Sequence, residues 1–206
     1  MSTALALPEP TPEVSAHRSR LLEGMALAVA LKGYADTTIA DIVREAGVSR
    51  RTFYEHFATR AECFIALYEA ASRNALAVLR QAIDPAQEWQ TQVERAVAAY
   101  LANMAQNAAL LRSLFIEILG LGPEGLAARR RVNQEIAGFM LDVVNRQGGS
   151  GRSRPLSREM AMAVVGGINE LVLQAIEEDR VGQLAKLAIP AGELVRAVAR
   201  AGDRQS

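Results

Sequence analysis

The chain of 206 residues is short of several things, and each shortage narrows its reading. Its one cysteine, Cys63, excludes an intrachain disulfide and points to a reducing compartment. Only 5% of the residues are aromatic and β-branched runs are scarce, while alanine and leucine abound, a balance that favours helices. No strand pattern and no internal repeat is found in the sequence. Net charge is missing as well: 23 basic side chains against 23 acidic ones leave any nucleic-acid affinity to a local basic face. The N-terminus has neither the basic region nor the apolar core of a signal peptide. Pro8, Pro10 and Pro12 on alternate positions read instead as an extended, disordered arm over residues 1–14. The longest apolar stretch, residues 160–176, is interrupted by Asn169, Glu170 and Gln174, so no membrane span or membrane partner is expected. The expected location is the cytoplasm.

Catalytic machinery is absent from the text too. The two histidines, His17 and His56, lie in the first third of the chain, and Cys63 has no Cys or His beside it for a metal. There is no phosphate loop, dinucleotide glycine motif or nucleophile elbow. Neither an enzyme, a metal nor a cofactor is expected. Cys63, on the apolar side of a helix, reads as a small core residue and not a redox sensor.

What is present is helical periodicity. Residues 15–34 read as one helix, with Leu22, Met25, Ala26 and Val29 at helical spacing and Gly33 where a C-terminal cap belongs. Ile39, Ile42, Val43 and Ala46 then mark a short amphipathic helix that Thr38 can cap and Gly47 can end in a left-handed turn. Ser49 can cap a second short helix after a turn of only Gly47 and Val48. Thr59 and Glu62 have capping-box spacing and open a longer helix. Asp84-Pro85 has the form of another helix start, ahead of Trp89, Val93, Val97 and Tyr100. Residues 110–119 are apolar nearly all round, and Gly122-Pro123 begins a helix running to about residue 147. The glycine- and serine-rich residues 148–155 read as a mobile loop, followed by helices over 156–180 and 190–201.

Two short helices joined by a tight glycine-containing turn form a helix-turn-helix, whose second helix can enter the DNA major groove. At about 100° per residue, Phe53 and Phe57 point together into the core, while Arg51, Thr52 and Glu55 point outward. Tyr54 and His56 flank the apolar pair, and Ser49 and Arg50 stand at the helix start. Arginine can pair bidentately with guanine, and Thr, Tyr and His can donate to phosphate oxygens. Thr38 and nearby backbone amides can meet another phosphate, as can Arg60. Periodicity alone leaves an ordinary solvated basic face open, with Tyr54 as a packing residue. Such a chain would be a helical ligand-binding or enzymatic module.

The run TTIADIVREAGVSRRTFYEHFATRAE, residues 37–62, resembles the DNA-binding signature of the TetR family of bacterial transcriptional regulators. Its Gly-Val-Ser turn and Phe-Tyr-x-His-Phe run carry the likeness, which is strong over about residues 16–67. Residues 117–123 and the GGINEL run at 166–171 also look like segments common in that family. The resemblance matches Thr38, Arg50, Arg51, Thr52, Tyr54, His56 and Arg60 to DNA-contacting positions; the family often has Lys where Arg60 stands. It implies an all-α chain: a three-helix helix-turn-helix domain over 15–60, then a helical regulatory and dimerisation domain over 61–206. The implied function is a repressor that binds palindromic operator DNA as a homodimer and is released by a small-molecule effector.

The rest of the chain offers material for both regulatory tasks. The helix around residues 160–176 is apolar on all sides, and Gly166-Gly167 would allow close backbone approach. Unless the helix is simply central in a monomer, a second subunit is the natural cover for its outer face, with Leu173, Leu194 and Val198 as further interface candidates and Asn169 as an interface group or equally a ligand contact. Trp89, Tyr100, Met104 and Phe115, with Phe139 and Met140, could line an apolar effector cavity or be plain core. Glu117 borders the interior on its helix, where it could bind a cationic or hydroxyl-bearing ligand or pair with an arginine at the domain junction.

Overall fold

In a computed structural model, which describes residues 12–147 and 155–201, the apolar residues at helical spacing form helices and no strand occurs among the described residues. The contacts divide the chain after Leu67 into two units.

The first unit contains α1 (Pro12–Asp36), α2 (Ile39–Ala46), α3 (Arg50–His56) and the start of α4 (Arg60–Ala82). Leu21, Met25, Val29, Ile42, Phe53 and Phe64 are its buried centre. The backbone leaves the helical region at Gly33 (φ 78°, ψ 164°), which separates the last residues of α1 from its body. Buried Thr37 donates its hydroxyl to the Gly33 carbonyl at 2.7 Å and fixes the corner into α2. α1 and α2 cross at Gly24, where a Cβ would stand 2.6 Å from the Ile42 carbonyl oxygen and 2.8 Å from the Ala46 nitrogen. Only a residue without a side chain permits that crossing.

The second unit contains the rest of α4 with α5 (Trp89–Ala105), α6 (Ala108–Ile116), α7 (Gly122–Gln147), α8 (Arg158–Glu177) and α9 (Ala188–Ala201). Short 3₁₀ segments, Glu117–Leu121 and Val181–Leu187, precede α7 and α9. Val97, Leu101, Val164, Val172, Ile176 and Leu184 lie in its main core. α8 is long and apolar enough to cross a membrane by length and composition. Its Ala161, Val164, Val172, Ala175 and Ile176 are buried inside the unit, although only 33% of that apolar window is buried in all.

Several boundaries differ from the sequence reading. Asp84 starts no helix: its carboxylate accepts from the Ala86 amide at 3.0 Å and its carbonyl from Gln87 at 3.0 Å, closing a turn, and α5 begins only at Trp89. The division falls after Leu67 and not at residue 60, because the first turns of α4 pack into the first core. Cys63 and Phe64 are fully buried there, and Tyr34 meets the Phe64 ring at 4.5 Å. Of the expected N-terminal arm, residues 12–14 belong to α1 and residues 1–11 lie outside the described residues. The expected loop at 148–155 likewise lies outside them, except for Pro155.

Candidate functional site

Short helices need their ends satisfied, and α2 and α3 are capped by their own sequence. Thr38 accepts from the Asp41 amide, and the Asp41 carboxylate accepts from the Thr38 amide at 2.9 Å, a complete capping box. Gly47 closes α2 in the left-handed region (φ 61°, ψ 37°). Ser49 then caps α3, its hydroxyl accepting from the Thr52 amide at 3.0 Å. Thr59 accepts from the Glu62 amide at 3.0 Å, while Glu62 reaches back to the Ala58 amide at 2.7 Å, one residue earlier than a standard box.

This frame turns one face of α3 inward and the other out. Phe53 and Phe57 are buried, whereas Arg50, Arg51 and Glu55 are exposed, as is Tyr54 at 56%. Thr52 and His56 are half-buried. Arg51 lies outermost, its Nε donating to Glu55 Oε1 at 3.0 Å one turn on. Exposed pairs of this kind are worth about 0.3–0.5 kcal/mol, so a stronger acceptor could take the guanidinium. His56 faces His17 on α1, with ring centroids 6.3 Å apart. Burial, then the neighbouring His17 and Arg18 charges, lower its pKa against an opposing pull from Glu55. The ring is therefore a neutral donor or acceptor at neutral pH.

Two candidate residues are more tied than the sequence implies. The Thr38 hydroxyl donates to Asp41 Oδ2 at 2.6 Å, so it already serves the cap. Arg60 stacks its guanidinium 4.2 Å over the Tyr34 ring and donates to the carbonyls of Tyr34 (3.0 Å), Ala35 (3.1 Å) and Thr37. It clamps the end of α1 to the start of α4, a role that a bare match to a phosphate-contacting position does not contain. Cys63 is buried in this core, and burial pushes its thiol up to about 12, as an inert core residue requires.

Sequence reasoning overlooked Asp41. Its carboxylate meets Lys32 at 2.5 Å and Arg44 at 3.1 Å besides the Thr38 groups. The Lys32 bond first, then the Thr38 bonds, hold its pKa far below the usual carboxylate range. The unfolded carboxyl titrates near 3.9. Between that value and the depressed folded one, the unfolded chain takes up a proton that the folded chain does not, so stability falls as pH falls. Thermal melts should therefore lose midpoint steadily below about pH 4, and Asp41→Asn should flatten the dependence. An Asp41→Asn curve parallel to the wild type would assign the acid sensitivity elsewhere.

In the second unit, α4, α5, α6, α7 and α8 enclose a cavity of about 220 Å³. Met104 and Phe115 line it together with polar groups the sequence did not single out, among them Asn103, Arg129 and Asn133. A second cavity of about 90 Å³ is almost wholly apolar, and Trp89, Phe139 and Met140 are in its wall. Tyr100, Ile136 and Asn169 belong to both walls. The available signal for the polar residues was periodic: Arg129, Val132, Asn133, Ile136 and Met140 recur at helical spacing, which sets polar side chains among core positions of α7.

Two candidates fall elsewhere. Glu117 is in neither wall; one of its oxygens accepts from the Ser113 hydroxyl at 3.2 Å and the other is buried without a hydrogen-bond partner among the described residues. It ends α6, its amide still donating to the Ser113 carbonyl, so it keeps the α6 register and borders the interior outside both cavities. Asn169, read as an interface group or a ligand contact, donates its amide to Asn133 at 3.1 Å in the cavity walls. Of the other interface candidates, Gly166 is exposed with open space where a Cβ would be. Gly167 lies against α9 of its own chain, 3.2 Å from Leu194 to an added Cβ, and Leu173, Leu194 and Val198 are half-buried.

Residues 26–67 match the family model for bacterial regulatory proteins of the tetR family. No curated protein matches the sequence. The fold is similar to that of the fatty acid degradation regulator FadR from Bacillus halodurans, at 16% identity and a TM-score of 0.73, covering 91% of this chain and 96% of that one. FadR from Bacillus subtilis, solved in complex with stearoyl-CoA, is also similar at 16% identity and a TM-score of 0.70, over 86% and 96% of the two chains. A tetR-family regulatory protein from Rhodococcus RHA1 aligns at 20% identity and a TM-score of 0.64, over 87% and 96%. The helix-turn-helix segment thus matches the tetR family of bacterial regulatory proteins, and the fold of the chain is similar to those of regulators of that kind.

Proposed function

We propose that the chain is a repressor that binds an inverted-repeat operator as a homodimer and releases it when a small molecule enters the cavities of the second unit. The single observation that carries the DNA reading is the outward face of α3, where Arg50, Arg51 and Tyr54 stand exposed on a helix anchored by Phe53 and Phe57. Arg51 reads a base, while Tyr54, Thr52 and His56 position the helix on the phosphates. Arg51→Ala is expected to cost about 1–3 kcal/mol on the operator and to relax preference at one position of each half-site. Titrations of operator and random duplex at several salt concentrations test it. Unchanged affinity and preference would refute the recognition-helix role, and equal binding to random duplex would favour an incidental basic face.

The dimer reading rests on the outward side of α8 and α9, where Gly166 is open and Met160 and Ile189 are 43% and 70% exposed. A twofold dimer presents each recognition helix to an equivalent half-site. Gly166→Leu should therefore dissociate the dimer in sedimentation while leaving the protomer folded. Gly167→Leu should instead lower the melting temperature, because its side chain strikes Leu194 within the same chain. A wild-type monomer at micromolar concentration that still binds the operator would remove this model.

For release, α4 supplies the physical link. It lines the larger cavity with Tyr68 and Ser72, and it begins at Arg60, which holds the Tyr34, Ala35 and Thr37 carbonyls. A ligand that shifts α4 disturbs that clamp and the spacing of the two recognition helices. The fold shared with a regulator solved with stearoyl-CoA supports an apolar or amphiphilic effector.

A further inference from the structure

We infer that the effector is a single-chain amphiphile with an anionic headgroup, bound head to Arg129 in the larger cavity and tail towards Trp89 in the smaller one. This rests on the second unit's cavities being the effector site. Arg129 is the one charged residue in either wall, and among the described residues it enters no ion pair. Arg131, two residues on, shows the contrast: its guanidinium is held by Glu69 at 2.6 Å. A cation half-buried in a cavity wall without a carboxylate favours an anion there, and neither wall holds a carboxylate to pair with a cationic head.

The remaining polar groups of the larger cavity suit a head rather than a chain. Asn133 is 7% exposed in the larger cavity's wall, and its bond joins it to Asn169, which lies in the wall common to both cavities. Beyond that wall the second cavity presents Leu79, Val97, Phe139 and Val165, fit for methylene groups and little else. The two volumes, about 220 and 90 Å³, together sit at the lower end of the ~300–1,000 Å³ of small-molecule sites. That size suits one alkyl chain with a compact head.

Trp89, the only tryptophan, reports from the apolar end. Dodecanoate, dodecyl phosphate, dodecanol and dodecyltrimethylammonium would be titrated below their micelle concentrations, on the intact protein, against Trp89 fluorescence and operator release. The two anions should bind more tightly than the alcohol and the cation. Arg129→Gln should weaken the anions about 10- to 100-fold, the worth of one charge-assisted contact, and leave the alcohol unchanged. Arg129→Lys should restore much of the loss, which a merely misfolded variant would not allow. A bromine at the chain end of dodecanoate should quench Trp89 more than one beside the carboxylate. Equal binding of the cation, an anion affinity indifferent to Arg129→Gln, or stronger quenching by the head-end bromine would each overturn the assignment. If in those cases the alcohol still releases the operator, the effector cavity stands and only the head assignment falls. Failure of every amphiphile to bind would sink both.

Discussion

Gly24→Ala is expected to destabilise the first unit by about 3 kcal/mol, a large share of what holds a small domain together, and to abolish operator binding. The added Cβ meets backbone atoms of Ile42 and Ala46 and the Ala46 Cβ, not the free end of a flexible chain, so no rotamer change relieves it. α1 must move away from α2, and the capped corner that aims α3 moves with it. Gly120→Ala is the control, because its Cβ would meet nothing within 4 Å; its effect should stay within about 0.5 kcal/mol. Gly125→Ala completes the comparison in the second unit, where a Cβ would run into the Ile118 carbonyl. The two damaging variants should fail differently. Gly24→Ala should lose operator binding while Trp89 still responds to amphiphile, and Gly125→Ala should lose the response at Trp89. Denaturant melts followed by circular dichroism, with Trp89 fluorescence for the second unit, separate them. A Gly24→Ala protein as stable as Gly120→Ala would show that α1 and α2 do not cross as closely as described.

Gly24 also marks the limit of what could be read beforehand. Nothing in its neighbourhood distinguishes it from any glycine inside a helix, because the reason for it lies on another helix. The corner from Thr37 to Phe57 was legible since its determinants are local: caps lie within three residues of what they cap, and Phe53 and Phe57 share a face by period alone. Arg60 was recognised as a charge but not as a clamp, because its carbonyl partners lie more than 20 residues upstream. Asp84-Pro85 misled because a turn and a helix begin with the same side-chain bond. In the second unit the aromatic residues could be placed near a cavity by their bulk. Its polar wall, however, is assembled from α4, α5, α7 and α8 and has no motif in any one of them.

Operator and effector are expected to weaken each other's binding by the same factor, about 5- to 150-fold, for ~1–3 kcal/mol of coupling. The requirement behind this number is geometric. Both recognition helices of a dimer must enter successive major grooves, about 34–36 Å apart, and a ligand acts only through its different affinity for the arrangements that do and do not meet that spacing. Because α4 both lines the larger cavity and carries Arg60, its displacement is the difference between the two states that the proposal requires. Dodecanoate titrated against Trp89 with and without saturating operator measures one side of the linkage, and operator titrated with and without dodecanoate measures the other. Arg60→Gln should shrink the coupling on both sides together, since it frees the corner of α1 and α2 from α4 while leaving the cavity walls intact. Arg60→Lys keeps the charge but loses the planar stack on Tyr34, and should fall between. Equal dodecanoate affinity in the two titrations would show that the compound, however tightly held, is no inducer. Full coupling in Arg60→Gln would show that the signal leaves the cavity by a route other than the Arg60 clamp.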